Sequence, residues 1–90
     1  MKPDELYREL KLFAEKLGVG VEEHNFRNAG IHVRSGACVV RGREMIIIDK
    51  HKSLSNKIRI LAASLSKFPH EDQYVVPAVR DAIDRYAAEE

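Results

Sequence analysis

Apolar residues recur at helical spacing near the start of the chain. They follow one another at three- and four-residue steps, at Leu6, Leu10, Phe13 and Leu17, with Tyr7 and Ala14 beside them. This spacing predicts an amphipathic helix that packs by one face. Pro3 at its first position and Gly18 after its last one suit the two ends of such a helix.

The next stretch changes to an extended pattern. Residues 19–26 begin with alternating valines, which predicts an extended segment, and residues 27–30 have the composition of a turn. Residues 31–34 alternate apolar and polar side chains, as a half-buried strand does, before a tight turn at Ser35-Gly36.

A hairpin sequence follows in residues 37–49. Glycine supplies the positive φ angle that a two-residue loop requires, so the loop lies at Arg41-Gly42 or at Gly42-Arg43. The segment from Met45 to Ile48 is apolar without alternation, which favours a place in the interior of the sheet, where both faces can be covered. The pattern therefore predicts a small antiparallel meander of about three strands.

Two further helices are predicted after the hairpin. Ser53 is a favourable N-cap, and Pro69 ends the helix that follows it. The apolar stripe of that helix, which predicts the most buried helix of the fold, is Leu54, Ile58, Leu61, Leu65 and Phe68. Pro77 begins the final helix, with Val79, Ile83 and Tyr86 inward. We predict an α+β fold with about three helices packed on one face of a small antiparallel sheet.

Length and composition narrow the class of protein. Ninety residues, 44% of them hydrophobic and 32% charged, predict a single globular domain over residues 1–90. No apolar run approaches the roughly 20 residues that span a bilayer, and the charged helical start differs from a secretory signal. Cys38 is the only cysteine, so it has no partner for an intrachain disulfide. We expect a cytoplasmic protein with no membrane partner.

Charge is distributed unevenly along the chain. Residues 31–68 contain eight basic and two acidic side chains, whereas residues 69–90 contain two basic and six acidic ones. One interpretation is internal pairing, in which the acidic final helix neutralises the basic middle. The other is a face for phosphate, nucleic acid or an acidic partner. That possible anionic-partner face consists of Arg34, Arg41, Arg43, Lys50, Lys52 and Lys57.

Residues that could carry chemistry are scattered. The histidines, His24, His32, His51 and His70, do not stand at metal-ligand spacing on a predicted helix. Cys38 lies on a strand between Arg34 and Arg41, where nearby guanidinium groups could lower its pKa, although a lone strand cysteine is more often a small buried apolar residue. We predict no catalytic, cofactor-binding or metal-ligating residues, and no cofactor.

The order of elements resembles a known family. A helix ending in Leu17-Gly18-Val19 precedes a small sheet, the strand at residues 45–49, a short link with Ser53 and the helix at residues 58–68. This order is similar to the minimal core of the ImmA/IrrE-like zinc metallopeptidases, whose corresponding helix carries the H-E-x-x-H motif. When the two helices are aligned by their apolar positions, the motif falls at Ala63, Ser64, Leu65, Ser66 and Lys67. None of these residues is histidine or glutamate, so the two histidines and the glutamate of the motif are missing. The resemblance implies a degenerate relative whose sheet and helix serve binding or assembly.

The leading hypothesis from the sequence is a non-catalytic module that binds a protein partner or a second copy of itself. One alternative is a metal- or thiol-dependent enzyme whose site is assembled from distant residues. Another is a protein that binds nucleic acid or an anionic ligand through the basic middle. Phosphate contacts are available there, but no aromatic residue stands between Phe26 and Phe68 to stack on a base.

Overall fold

The computed structural model describes residues 1–26 and 35–88 of the chain. The predicted turn at residues 27–30, the predicted strand at residues 31–34 and the last two glutamates lie outside these ranges. The elements are helices α1 (Pro3–Lys16), α2 (Leu54–Leu65) and α3 (Pro77–Tyr86) and strands β1 (Gly20–His24), β2 (Gly36–Val40) and β3 (Arg43–Asp49). The predicted α+β class is confirmed. Within the described ranges, no helix has the length and apolar character needed to cross a membrane.

The sheet has three strands in the order β1-β3-β2. Strands β2 and β3 form the predicted antiparallel hairpin, and β3 is the central strand, as its apolar run indicated. The prediction of a wholly antiparallel sheet was wrong, because β1 pairs with β3 in parallel and the sheet is mixed. A central strand has a neighbour on each side and is the strand best placed to be buried on both faces. Strand β1 therefore pairs with the edge of β3 that β2 leaves free.

The hairpin loop takes the first of the two predicted positions. Arg41 and Gly42 have φ angles of 53° and 78°, and Val40 pairs with Arg43 on either side of them. Two successive positive φ angles define a type I′ turn, whose twist matches that of the flanking strands. A non-glycine residue such as Arg41 adopts this left-handed conformation at a cost of about 1 to 2 kcal/mol.

Helix α1 ends in a Schellman motif that directs the chain into β1. Gly18 has a φ angle of 80°, and its N–H donates to the carbonyl oxygen of Glu15 at 2.9 Å. The N–H of Val19 donates to the carbonyl oxygen of Ala14, also at 2.9 Å. Val19 is buried, so it provides the apolar contact that accompanies this motif.

The helices pack on one face of the sheet. Helix α1 contacts β1, α2 contacts β3 and β2, and α3 packs on the other two helices. The largest fully buried apolar side chains lie between these layers and are Leu10, Ile46, Ile48, Leu61, Leu65, Ile83 and Val79. The predicted apolar faces of α1 and α3 are therefore confirmed, and α2, which has six buried residues, is the most buried helix.

One detail of the predicted core needs correction, and a second is confirmed in part. Leu54 is 37% exposed, because it is the first residue of α2 and has no preceding helical turn to pack beside it. In β3, Ile46 and Ile48 join the helix-side core, whereas Met45 and Ile47 point to the opposite face. Met45 is buried and Ile47 is partly buried, so the predicted covering of both faces is confirmed at Met45 and incomplete at Ile47.

Candidate functional site

Strand β2 presents an exposed apolar edge. It forms one edge of the sheet, and the described part of the chain places β3 on one side of it and no strand on the other. Val39 is 64% exposed and Val40 is 43% exposed, and Ala37 is exposed as well. None of the five residues of β2 is charged. This edge therefore combines apolar side chains with backbone groups that face away from β3.

The exposure of β2 follows from the position of the helices. Ala37 pairs with Ile46, and Val39 points to the same face as Ala37, because alternate residues of a strand share a face. Helix α2 covers Ile46 in the centre of the sheet, but it does not cover Ala37 or Val39 at the edge. Helix α2 thus contacts β2 but leaves its Ala37 and Val39 side chains exposed.

Cys38 lies in the middle of this strand, on the face opposite the helices. It pairs with Met45, and its side chain is partly exposed. The thiol is free, and Val40 is its neighbour along the same face. A strand added beside β2 would therefore reduce the exposure of the Cys38 thiol.

The predicted basic face is divided by the fold. Arg41 and Arg43 lie at the hairpin end of β3, whereas Lys50 and Lys52 follow its other end. Seven strand residues at about 3.3 Å each separate the two groups by about 20 Å. The fold thus places the four residues in two groups, and Arg34 lies outside the described residues.

Internal pairing with the acidic final helix does not form in the described residues. Neither Asp81 nor Asp84 makes an ion pair with Arg41, Arg43 or the two lysines after β3. Helix α3 packs on α1 and α2, which separate it from the strands. The predicted pairing is wrong for these residues because the apolar face of α3 docks on helices and not on the sheet.

Lys57, the remaining member of the predicted basic face, belongs to a polar cluster where α1, β1 and α2 meet. Its Nζ donates to Oε1 of Glu23 at 2.7 Å, and the hydroxyl of Tyr7 donates to Oε2 of the same carboxylate at 2.7 Å. The ammonium of Lys11 lies 4.7 Å from the centre of the Tyr7 ring. Sequence reasoning missed this cluster, because its members are 16 and 34 residues apart.

The cluster shifts the pKa values of Glu23 and Tyr7. Burial alone would raise the pKa of Glu23, but the hydrogen bonds from Lys57 and Tyr7 and the charges of Lys57 and Lys11 bring it below its ordinary value. Burial and the hydrogen bond to Glu23 raise the pKa of the Tyr7 hydroxyl. At neutral pH, Glu23 is therefore a carboxylate and Tyr7 is a neutral donor, an arrangement that ties three elements together.

Glu23→Gln should destabilise the protein in a pH-dependent way. We expect a loss of about 1 kcal/mol at neutral pH, because a partly exposed charged hydrogen bond contributes less than a buried one. The carboxylate stabilises the fold above its ordinary pKa of 4.5, and this contribution disappears as the pH falls through the lower folded value.

Urea unfolding of both proteins between pH 7 and pH 3 measures this effect. Glu44→Gln is the matched control, because Glu44 is an exposed strand glutamate that makes no ion pair within the described residues. A Glu23→Gln deficit that stayed constant down to pH 3 would contradict the assigned ion pair.

A second surface feature is a groove of about 380 Å³ lined by α1, β1 and the start of β3. Arg8, Lys11 and Arg43 line it together with Glu15 and Glu22, around an apolar floor that includes Leu12 and Met45. Acidic and basic side chains are mixed there, so the groove has no strong preference for one sign of charge.

The zinc-motif positions of the resemblance lie at the end of α2. Ala63, Ser64 and Leu65 are buried, Ser66 is the C-cap, and Lys67 is exposed beyond the helix. Within residues 1–26 and 35–88, no three histidine, cysteine or acidic side chains come together as metal ligands. Comparison with known protein families, curated proteins and solved structures found no match to this chain. The resemblance remains a prediction.

Proposed function

We propose that this protein is a non-catalytic interaction module that binds a protein partner by strand addition at the outer edge of β2. The observation that supports the proposal is the uncharged edge strand with two exposed valines. An added strand would hydrogen-bond to the backbone groups that face away from β3. In the degenerate metallopeptidase relative that the resemblance implies, the sheet and the buried helix would support this edge.

Edge strands of proteins that act alone carry features that block pairing. Lysines, prolines, bulges and inward-pointing charges are the common ones. Strand β2 has neither charge nor proline, and its five residues pair with β3 in unbroken register. The nearest charged side chain after β2 is Arg41, which lies in the turn and leaves the strand itself open. The edge is thus suited to receive another strand.

The exposed valines give such binding a hydrophobic contribution. Complete burial of a valine side chain contributes about 1.5 to 3 kcal/mol. Because Val39 and Val40 are already partly covered, a partner strand would gain about 1 kcal/mol from each. Backbone hydrogen bonds would add to this gain and fix the direction of the partner strand.

The reactivity of Cys38 tests the proposal without a known partner. We expect N-ethylmaleimide to label Cys38 more slowly in intact cells than in the purified, dilute protein, as measured by mass spectrometry. A partner that occupied about nine-tenths of the molecules would slow labelling about tenfold, since only the free fraction reacts. Val39→Lys should restore fast labelling in cells, because a charge at the edge opposes strand pairing.

Leu12→Lys is the matched control for this experiment. Leu12 is an exposed apolar residue on α1, away from β2, so its replacement should leave the protection of Cys38 unchanged. Each variant is also labelled as purified, dilute protein, which removes any direct effect of the new charge on the thiol. Equal labelling of wild type and Val39→Lys in cells, after this normalisation, would contradict the proposal.

A further inference from the structure

We infer that the partner is a second copy of this chain, joined through antiparallel pairing of the two β2 strands about a twofold axis at Cys38. This inference rests on the proposed function and names the partner for the same edge. The pairing would extend each three-stranded sheet into one continuous sheet of six strands.

The side chains of β2 are self-complementary under such a twofold axis. Cys38 is the middle residue, with small Gly36 and Ala37 before it and larger Val39 and Val40 after it. Antiparallel pairing centred on Cys38 sets Gly36 opposite Val40 of the second copy and Ala37 opposite Val39 of the second copy. Each exposed valine therefore covers a small residue, and all five residues of the strand are paired.

The direction of the backbone groups allows this register. The β-turn at Arg41-Gly42 joins Val40 and Arg43 as a hydrogen-bonded pair. Because such pairs alternate along an antiparallel ladder, the N–H and C=O groups of Ala37 and Val39 point away from β3. In the inferred register these two residues face each other across the axis, so their outward groups form four hydrogen bonds between the copies.

Within the described residues, the charge of β2 does not oppose self-pairing. Strand β2 is uncharged, and Arg41, the first charged residue after it, would lie beyond the end of the partner strand. The two copies of Arg41 would be offset by six strand positions, about 20 Å along the strands. That distance exceeds the Debye length of about 8 Å at physiological salt, so their repulsion is largely screened.

The size of the contact determines how strong the dimer is. Five paired residues on each side bury less than the roughly 1,200 Å² that is the lower limit of stable interfaces. The dimer should therefore dissociate on dilution, and its formation should be measured over a wide concentration range. Analytical ultracentrifugation of the reduced protein should show a reversible monomer–dimer equilibrium at micromolar concentrations.

Disulfide cross-linking tests the register. Across the twofold axis the two Cys38 residues form a non-hydrogen-bonded pair, with Cα atoms about 4.5 Å apart, which lies within disulfide geometry. Diamide accepts two electrons and two protons as it converts the two thiols into one disulfide. We expect a linked dimer whose yield follows the dimer fraction measured by ultracentrifugation.

Variants separate this arrangement from chance contact. Cys38→Ser should keep the reversible dimer and lose the cross-link, whereas Val39→Lys should lose both and Leu12→Lys neither. The double variant Cys38→Ser, Val40→Cys moves the thiol by two positions, so the two sulfur-bearing residues are offset by about 13 Å along the strands. It should dimerise without cross-linking, and circular dichroism melting should verify that each variant folds.

Several results would overturn the inference. They are a monomer at all concentrations, equal cross-linking through residue 40, or slow hydrogen exchange of the Ala37 and Val39 amides in the dilute monomer. The last result would mean that the edge is covered within one copy. If the purified protein is monomeric while Cys38 stays protected in cells and Val39→Lys abolishes that protection, the second copy is excluded and the proposed function stands.

Discussion

Replacing Leu61 or Leu65 with alanine should lower the free energy of unfolding by about 2 to 5 kcal/mol, the usual range for truncating a leucine in a packed core. Both side chains are completely buried in α2, the helix that contacts the other two helices and the sheet. A loss of this size is a large part of the stability of a small domain, about 5 to 15 kcal/mol. Urea unfolding at neutral pH measures it.

Leu54→Ala is the matched control on the same helix. Leu54 belongs to the same apolar stripe, but it lies at the exposed first position of α2. Its truncation leaves no enclosed cavity, so the cost should be within about 1 kcal/mol. Equal losses for Leu54→Ala and Leu61→Ala would show that the helix starts earlier or packs on a different face.

The helices could be predicted because their signals are local. The stripe of α1 repeats every three or four residues, and Pro3 and Gly18 mark its ends. The same holds for α2, where the side chain of Ser53 accepts a hydrogen bond from the N–H of Asn56, as its N-cap position predicted. Leu54 shows the limit of this reasoning. An apolar stripe predicts which way a side chain points, but it does not predict whether a neighbouring element extends far enough to cover that side chain.

The sheet was predicted less completely because strand pairing is not local. The hairpin followed from Gly42 and the apolar strand after it, and both are confirmed. The alternating valines at the start of residues 19–26 predicted an extended segment but contained no information about its partner or direction. Its parallel pairing with β3 depends on which edge of the central strand remains free, a property of the whole sheet.

The candidate surfaces show why sequence proximity is a poor guide to a site. Arg43 and Lys50 are close in the sequence but lie at opposite ends of one strand, because an extended chain separates them by about 3.3 Å per residue. Tyr7 and Lys57 are far apart in the sequence, yet they share the carboxylate of Glu23. The exposure of Val39 could not be predicted either, since apolar strand residues are usually buried and only the helix layer decides which are covered.

A comparison of adjacent residues in β3 tests the packing of the two faces of the sheet. Ile46→Ala should cost about 2 to 5 kcal/mol, because Ile46 is completely buried in the helix-side core. Ile47→Ala should cost about 1 kcal/mol, since Ile47 points to the other face and is partly exposed. Both changes replace isoleucine with alanine in the same strand, so their effects on strand propensity are matched.

Chemical denaturation of the two variants at neutral pH gives the difference directly. A larger loss for Ile46→Ala follows from a sheet whose helices pack on one face only. Equal losses would mean that the far face is packed as tightly as the core, as the unbroken apolar run of β3 predicted from the sequence. In that case the face that carries Cys38 would be covered too. The purified, dilute protein would then label slowly at Cys38, and labelling in cells would have to be compared with that lower rate.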